Sequence, residues 1–463
     1  MNILPAVSFD ADLIRRYDRP GPRYTSYPTA VQFRPDFGAD DYLAAVEASR
    51  EAGAQPLSLY VHIPFCTSPC FYCACSRIIT RSREKAERYL ERLKREIEMQ
   101  GALFGGGRTV EQLHFGGGTP TFLDADQLGG LMEHLARHFP LTNAPDREYS
   151  IEIDPRSVET DAPARLAAMG FNRMSLGVQD FDPEVQRAVN RVQPVTQTLR
   201  LIESARSAGF GSISLDLIYG LPLQTPERFA RTLDTVIAAC PDRLSVYAYA
   251  HMPHLFKPQK RIRAEDLPGP ETRLALLALT IEKLTSAGYV YIGMDHFALP
   301  QDELVRAQRE GTLQRNFQGY STRAYCDLVG LGVTSIGRIG DVYAQNCKKL
   351  EDYYAAVDAG RLPIQRGIAL DFDDRVRRAV IQELMCHAVV DRDAIGTRFG
   401  IDFDDYFRTE LERLRSLESD GLVEIGERQI AITAAGRLLM RNVAMVFDAY
   451  LPPPTAQVHS RAI

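Results

Sequence analysis

Six strand-like segments alternate with helix-length amphipathic stretches through the middle of the chain, and that alternation restricts the fold more than any other feature. The strands are "PLSLYVHIP" from Pro56, "EQLHFGGG" from Glu111, "YSIEIDP" from Tyr149, "NRMSLGVQD" from Asn172, "SISLDLIYG" from Ser212 and "RLSVYAYAH" from Arg243. Between the first two, Ala86, Leu90, Leu93 and Ile97 recur at helical spacing, and further helices fit 124–138, 196–208 and 226–239. Such β–α units predict a parallel sheet with helices on its outside. Each strand also has two unlike faces. Leu57, Leu59, Val61 and Ile63 oppose Tyr60 and His62; Ile151 and Ile153 oppose Glu152. Met174, Leu176 and Val178 oppose Ser175 and Gln179; Ile213, Leu215 and Leu217 oppose Ser214 and Asp216. A doubly wound sheet, covered on both sides, favours continuous apolar strands. The expectation is therefore a curved sheet with a polar lumen: an incomplete (β/α) barrel.

Immediately after the first strand comes "YVHIPFCTSPCFYCAC", which places Cys66, Cys70, Cys73 and Cys75 within ten residues. Barrels of this type carry their chemistry at the C-terminal ends of the strands, where this loop falls. The N-terminus has no basic region followed by an apolar one, and no apolar run is long enough to span a bilayer. We therefore expect a cytosolic protein, in which structural disulfides are rare. Zinc usually takes two ligand pairs on separate segments. Three thiols at C-x3-C-x2-C spacing on one loop favour an iron–sulfur cluster, with zinc left as the alternative. Cys240, Cys326, Cys347 and Cys386 are scattered and read as reduced core thiols. The net charge of −6, without a long basic block, argues against nucleic-acid binding.

The aromatic Tyr72 before the last cysteine of the triplet, "GGGTP" from Gly116, "SIEIDP", "GFNRMSLGVQDF", "DLIYGLPLQT" and "GMDHFA" together resemble the oxygen-independent coproporphyrinogen III oxidases (dehydrogenases) of the radical S-adenosylmethionine enzymes. The resemblance runs from "GPRYTSYPTA" at Gly21 to about Leu451. It implies an α/β fold: an incomplete (β/α)6 radical-SAM barrel with an extended curved sheet. It also implies a [4Fe–4S] cluster on Cys66, Cys70 and Cys73, with Cys75 outside the ligand set, and two molecules of S-adenosylmethionine. Tyr60, Tyr72, Gly117, Glu152 and Ile336 correspond to residues around the first, and Gly118, Thr119, Gln179, Arg191, Asp216 and Ala250 to residues around the second. No protein acid or base is implied beyond the bound cofactors. The implied activity converts two propionates of coproporphyrinogen III into vinyl groups. The implied partners are that substrate, a low-potential flavodoxin- or ferredoxin-like donor and an unidentified electron acceptor, with the chain a monomer. The alternatives are a heme-chaperone or a heme-degrading relative.

Residues 51–365 are assigned to the barrel and its sheet extension, to which "YIGMDHFALP" and "NFQGYSTRAYCDLVGLGVTSIG" belong. Residues 366–463 form a small, mostly helical, winged-helix-like domain, with helices over 371–386, 403–419 and 434–450 and a hairpin turning at Gly426. It lacks a basic recognition helix and is expected to act as a lid or packing element. Residues 1–50 have too much Pro and Gly for a regular element and are expected to lie as an arm over the active site. An acidic protein attracts a tetra-anionic substrate through placed cations. Arg23 in the arm and Arg77 after the cysteine loop are the expected substrate contacts.

Overall fold

The computed structural model describes residues 7–104 and 106–451. The six sequence-predicted strands are all present: β1 (Leu57–Ile63), β2 (Val110–Gly117), β3 (Glu148–Ile153), β4 (Arg173–Gln179), β5 (Ser212–Tyr219) and β6 (Arg243–Ala248). Each runs parallel to the next. They form the middle of a 12-stranded sheet. Beyond β1 lie, in order, Asp327–Leu331, Ile336–Ile339, Val342–Asn346 and Ile364–Ala369. Beyond β6 lie His296–Ala298 and then Val290–Gly293, both antiparallel to their neighbours. Strand Asp327–Leu331 is parallel to β1, so the late chain returns to the sheet beside its first strand.

Alternation within the strands sets the two faces. Leu57, Leu59, Val61 and Ile63 are each 0% exposed, as are Ile213, Leu215 and Leu217. Burial of a side chain of this size contributes about 1.5–3 kcal/mol, so these faces hold the helices against the sheet. The main apolar core joins them to Tyr89, Leu90, Leu93 and Ile97 of helix Arg83–Phe104 and to Leu128, Leu131 and Leu135 of helix Ala125–His138. The latter helix starts in a capping box between Asp124 and Gln127. The polar faces line the lumen.

Four expectations are corrected. The first fifty residues contain helices Ala11–Tyr17 and Ala39–Glu51, since Asp10 caps the first and each has a buried apolar side to seat. "NFQGYST" lies outside the main sheet, in a two-stranded ribbon of Gln314–Asn316 and Gly319–Ser321. The 403–419 helix breaks at Phe407, whose fully buried ring interrupts Phe403–Tyr406 and Arg408–Ser419. The helix expected over 434–450 is a run of short turns, Gly436–Leu439, Met440–Ala444 and Met445–Phe447. Residues 439–444 are buried on every side, so no helical stripe organises them.

The expected hairpin forms between Val423–Ile425 and Gln429–Ile432, flanked by Val389–Asp391. Its core is shared with the arm, because Tyr17, Tyr24 and Tyr27 pack among Val380, Leu384, Phe407 and Phe447. Hydrogen bonds join the same regions: Tyr24 Oη donates to Asp448 at 2.8 Å, Asn442 Nδ2 to the Tyr17 carbonyl at 2.9 Å and Arg441 Nη1 to the Gly21 carbonyl at 3.2 Å.

Candidate active site

The cysteine loop leaves β1 through Pro64 and is pinned at both ends. Phe65–Cys66 pairs with Ile78–Ile79, while the Phe71 amide donates to the Val189 carbonyl at 2.9 Å. Asn190 Nδ2 donates to the Pro69 carbonyl at 2.7 Å, and Gln259 Nε2 to the Tyr72 carbonyl at 3.0 Å. Arg77 Nη1 donates to the carbonyls of Cys73 (3.3 Å) and Cys75 (3.1 Å). Arg77 thus braces the loop from beneath, and its guanidinium is engaged by backbone.

Two cations converge on Cys70. Arg156 Nη2 and Arg191 Nη1 each donate to its Sγ at 3.4 Å. Cys66 Sγ lies 3.4 Å from Thr119 Oγ1, and burial pushes its thiol up to about 11. The Cys73 thiol is brought down to about 6, chiefly by its hydrogen bond with Cys75 and despite partial burial. Cys75 is exposed, with its amide 3.4 Å from Cys73 Sγ. Among the described residues only Glu98, His134 and His138, on the outer helices, bring three ligand atoms within 4.8 Å of one another. The cysteine triplet is therefore spread more widely than a single ion requires. Three spaced sulfurs supported by two guanidinium groups fit an iron–sulfur cube, which takes one thiolate per iron corner.

"GGGTP" is shaped by its approach to β1. Gly117 has φ +119, and a Cβ there would stand 2.8 Å from the His62 ring and 2.9 Å from the Ile63 carbonyl. At Gly118 a Cβ would fall 2.8 Å from the Phe65 carbonyl oxygen. The Gly118 amide bonds the Ile63 carbonyl at 2.9 Å, bringing Thr119 beside Cys66.

Polar side chains form a connected floor below. Tyr60 Oη is 3.1 Å from His62 Nδ1, and the Tyr60 ring stacks on His114 at 5.8 Å. His114 Nε2 reaches Glu152 Oε1 at 3.1 Å, and the Gly117 amide donates to Glu152 Oε2 at 3.2 Å. Burial depresses His62 to about 4, so it is neutral at physiological pH. Further round, Ser175 Oγ donates to Asp216 at 2.9 Å, and burial lifts the Asp216 carboxyl to about 6. Arg191 is 6% exposed, pairs with Asp154 at 3.1 Å and also donates to the Gly177 carbonyl. One edge of its guanidinium is thus already occupied. Gln179 ends β4 at φ +67. Ala250 follows β6, its carbonyl bound by Gln259 at 3.2 Å. Ile336 opens its strand on the far side of β1.

Tyr60, Tyr72, Gly117, Gly118, Thr119, Glu152 and Arg191 thus gather near the cysteine loop, while Gln179 ends β4, Asp216 lies within β5 and Ala250 follows β6. Arg23 lies farther along, paired with Asp295 and 5.4 Å over the Tyr247 ring. The sequence reading passed over His114 and Arg156. His114 sits at an alternating lumen position of β2, which alternation alone could have flagged; Arg156, in a short turn after β3, has no periodic signal.

An open (β/α) barrel with a C-x3-C-x2-C loop above a polar lumen defines a radical S-adenosylmethionine enzyme, and residues 60–236 match the Radical SAM superfamily. Residues 370–439 match the HemN C-terminal domain. The chain is 55% identical over 461 residues, covering 100% of each chain, to a protein of Pseudomonas aeruginosa named oxygen-independent coproporphyrinogen III oxidase. The Escherichia coli protein of the same name is 52% identical over 445 residues, 96% of each chain. A solved structure described as coproporphyrinogen III oxidase (HemN) from Escherichia coli, a radical SAM enzyme, superposes with a TM-score of 0.91 at 50% identity, covering 96% of this chain and 100% of that one. The chain belongs to the oxygen-independent coproporphyrinogen III oxidase family, whose cofactors are a [4Fe–4S] cluster and S-adenosylmethionine.

Proposed function

We propose that this protein decarboxylates coproporphyrinogen III oxidatively without oxygen, giving protoporphyrinogen IX in heme synthesis. Full-length similarity to enzymes of that name supports the reading. The observation that carries it within the structure is the placement of Cys66, Cys70 and Cys73 at the head of a lumen lined by Tyr60, Glu152 and Asp216. Two propionates each lose a hydrogen atom, carbon dioxide and one electron, leaving vinyl groups. When bound, the cluster and S-adenosylmethionine supply the one-electron chemistry that removes hydrogen from a saturated carbon.

The chain holds, shields and orients. Cys66, Cys70 and Cys73 would hold the cluster, and Arg156 and Arg191 donate to the Cys70 sulfur. Tyr60, Tyr72, Gly117, Glu152 and Ile336 would hold one S-adenosylmethionine, and Gly118, Thr119, Gln179, Arg191, Asp216 and Ala250 a second, the carboxylates of Glu152 and Asp216 being able to accept from amino or hydroxyl groups. His62, kept neutral by burial, adds no charge to the site. The buried walls exclude water from the reacting carbon. Arg23 contacts the substrate from the arm, whereas Arg77 acts on it through the loop carbonyls that it braces. Among the described residues no helix is long and apolar enough to cross a membrane. We assign the protein to the cytosol as a monomer, served by a flavodoxin- or ferredoxin-like donor and a separate electron acceptor.

The test is anaerobic reconstitution with a vinyl-product assay. Wild type should form protoporphyrinogen; Cys66→Ser, Cys70→Ser and Cys73→Ser should lack both the [4Fe–4S] absorption and product. Cys75→Ser should keep its iron. Tight zinc binding with no iron absorption in the wild type would refute the reading.

A further inference from the structure

Arg315 is 5% exposed, yet no carboxylate among the described residues pairs with it. Its Nε donates to the Arg23 carbonyl at 3.2 Å, and its Nη1 is buried without a hydrogen-bond partner. Two other buried arginines are matched by carboxylates: Arg108 pairs with Asp327, and Arg191 with Asp154. Withdrawing an unpaired charge from water costs several kcal/mol. A fold that retains such a group at one fixed place offers an anion a counter-charge there.

The surroundings locate that place in the lumen. The Arg315 guanidinium lies 4.8 Å over the Tyr320 ring, which meets the His296 ring edge-on at 5.3 Å. His296 in turn meets Tyr247 edge-on at 5.8 Å. Tyr247 is two residues from Ser245, whose side chain hydrogen-bonds Asp216. Arg315 therefore stands at the far end of a wall that begins at the proposed second S-adenosylmethionine site. It is also held still. Its amide donates to Gln382 Oε1 at 3.3 Å, and Gln382 Nε2 donates to its carbonyl at 2.9 Å, from helix Phe372–His387. With Nε fixed on Arg23, the two Nη atoms form the remaining edge. Burial, helped by the charge of Arg315, depresses His296 to about 3, so its ring faces the lumen uncharged.

We propose that Arg315 is the residue that receives a propionate carboxylate of the tetrapyrrole, through both Nη atoms. The rings of Tyr320, His296 and Tyr247 form the wall against which the pyrroles lie. This rests on the decarboxylase reading and names the group that fixes the substrate within it. A guanidinium fork binds a carboxylate by two parallel bonds, which a lysine cannot reproduce.

The test is binding of coproporphyrin III, the stable oxidised form of the substrate, to the full-length cluster-loaded protein, read by the porphyrin's own fluorescence anisotropy. Arg315→Met should weaken binding at least tenfold, equivalent to about 1.4 kcal/mol. Arg315→Lys should weaken it by at least threefold, and this variant decides the matter if the methionine variant fails to fold. Iron content and S-adenosylmethionine binding should be unchanged in both. The thermal midpoint of Arg315→Met should equal or exceed that of the wild type, because an unmatched buried charge is gone. Wild-type affinity in the variants overturns the assignment, and so does a midpoint lowered by several degrees with affinity unchanged. A wild-type protein that binds no porphyrin would instead remove the decarboxylase reading, and this assignment with it.

Discussion

At Gly118 a single methyl group separates a working loop from a distorted one. An added Cβ would meet backbone atoms of Pro64 and Phe65 at 2.8–2.9 Å, and backbone cannot rotate away as a side chain can. Gly118→Ala should therefore destabilise by about 1–3 kcal/mol, the usual range for overpacking, and lower iron content because Cys66 follows Phe65 directly. Gly130, inside helix Ala125–His138, has nothing within 4 Å of its Cβ position. Gly130→Ala should stabilise by up to about 1 kcal/mol through helix propensity. Denaturant midpoints and iron assays on the two variants check the pair; equal behaviour would mean that the close approach does not matter.

Between elements, Glu96 acts as a buried junction. From helix Arg83–Phe104 its carboxylate accepts from the Gly332 amide (2.7 Å), Asn346 Nδ2 (2.6 Å) and Tyr353 Oη (2.6 Å). These belong to a loop, a strand and a helix of the sheet extension. Burial outweighs the three donors and raises the carboxyl from 4.5 to about 7. Because the folded pKa is the higher one, the native state binds the extra proton between those values. Stability at this site thus falls as pH rises from about 4.5 to 7, by a few kcal/mol at most, at roughly 1.4 kcal/mol per unit. Glu96→Gln should flatten that part of the thermal midpoint's pH dependence. An unchanged slope between pH 5 and pH 7.5 would show that another group sets it. Sequence pattern foretold the six barrel strands because one face of each is apolar and the period of two exposes it. It could not foretell this junction: the spacing from Tyr89 and Leu93 puts Glu96 on the buried face of its helix, but its three donors come from residues 332, 346 and 353, far along the chain. Nor could it give Arg315 its meaning, because a guanidinium's lack of a partner is a fact of tertiary packing. The fragmented turns over 436–447 escaped for a related reason: a segment buried all round has no amphipathic period to read.

Across the molecule, the arm and the C-terminal region form one core. Tyr24 is 2% exposed and its hydroxyl is bound by Asp448. Tyr24→Phe should destabilise by about 1.5–3 kcal/mol, because it removes a buried hydrogen bond to a carboxylate that joins the arm to the C-terminal region. Deleting residues 1–30 removes Tyr17, Tyr24 and Tyr27 together. It should loosen the C-terminal region as well as abolish product formation, while the cysteine loop keeps its iron. Proteolysis of the truncated protein checks this: early cleavage beyond residue 370 is expected, and wild-type resistance would show that the arm is only laid on the surface.

That shared core also sets an order in time. The strands of the main sheet are complete once residue 369 has been made, but most of the apolar core around the arm's tyrosines lies at 376–447. The intervening stretch of about 80 residues takes roughly 4–16 s at ordinary rates of synthesis. During that interval the nascent barrel exists without most of the core that receives Tyr17, Tyr24 and Tyr27. The sheet that carries the cysteine loop can thus form before the chain's two ends share their core, and the join between them comes last.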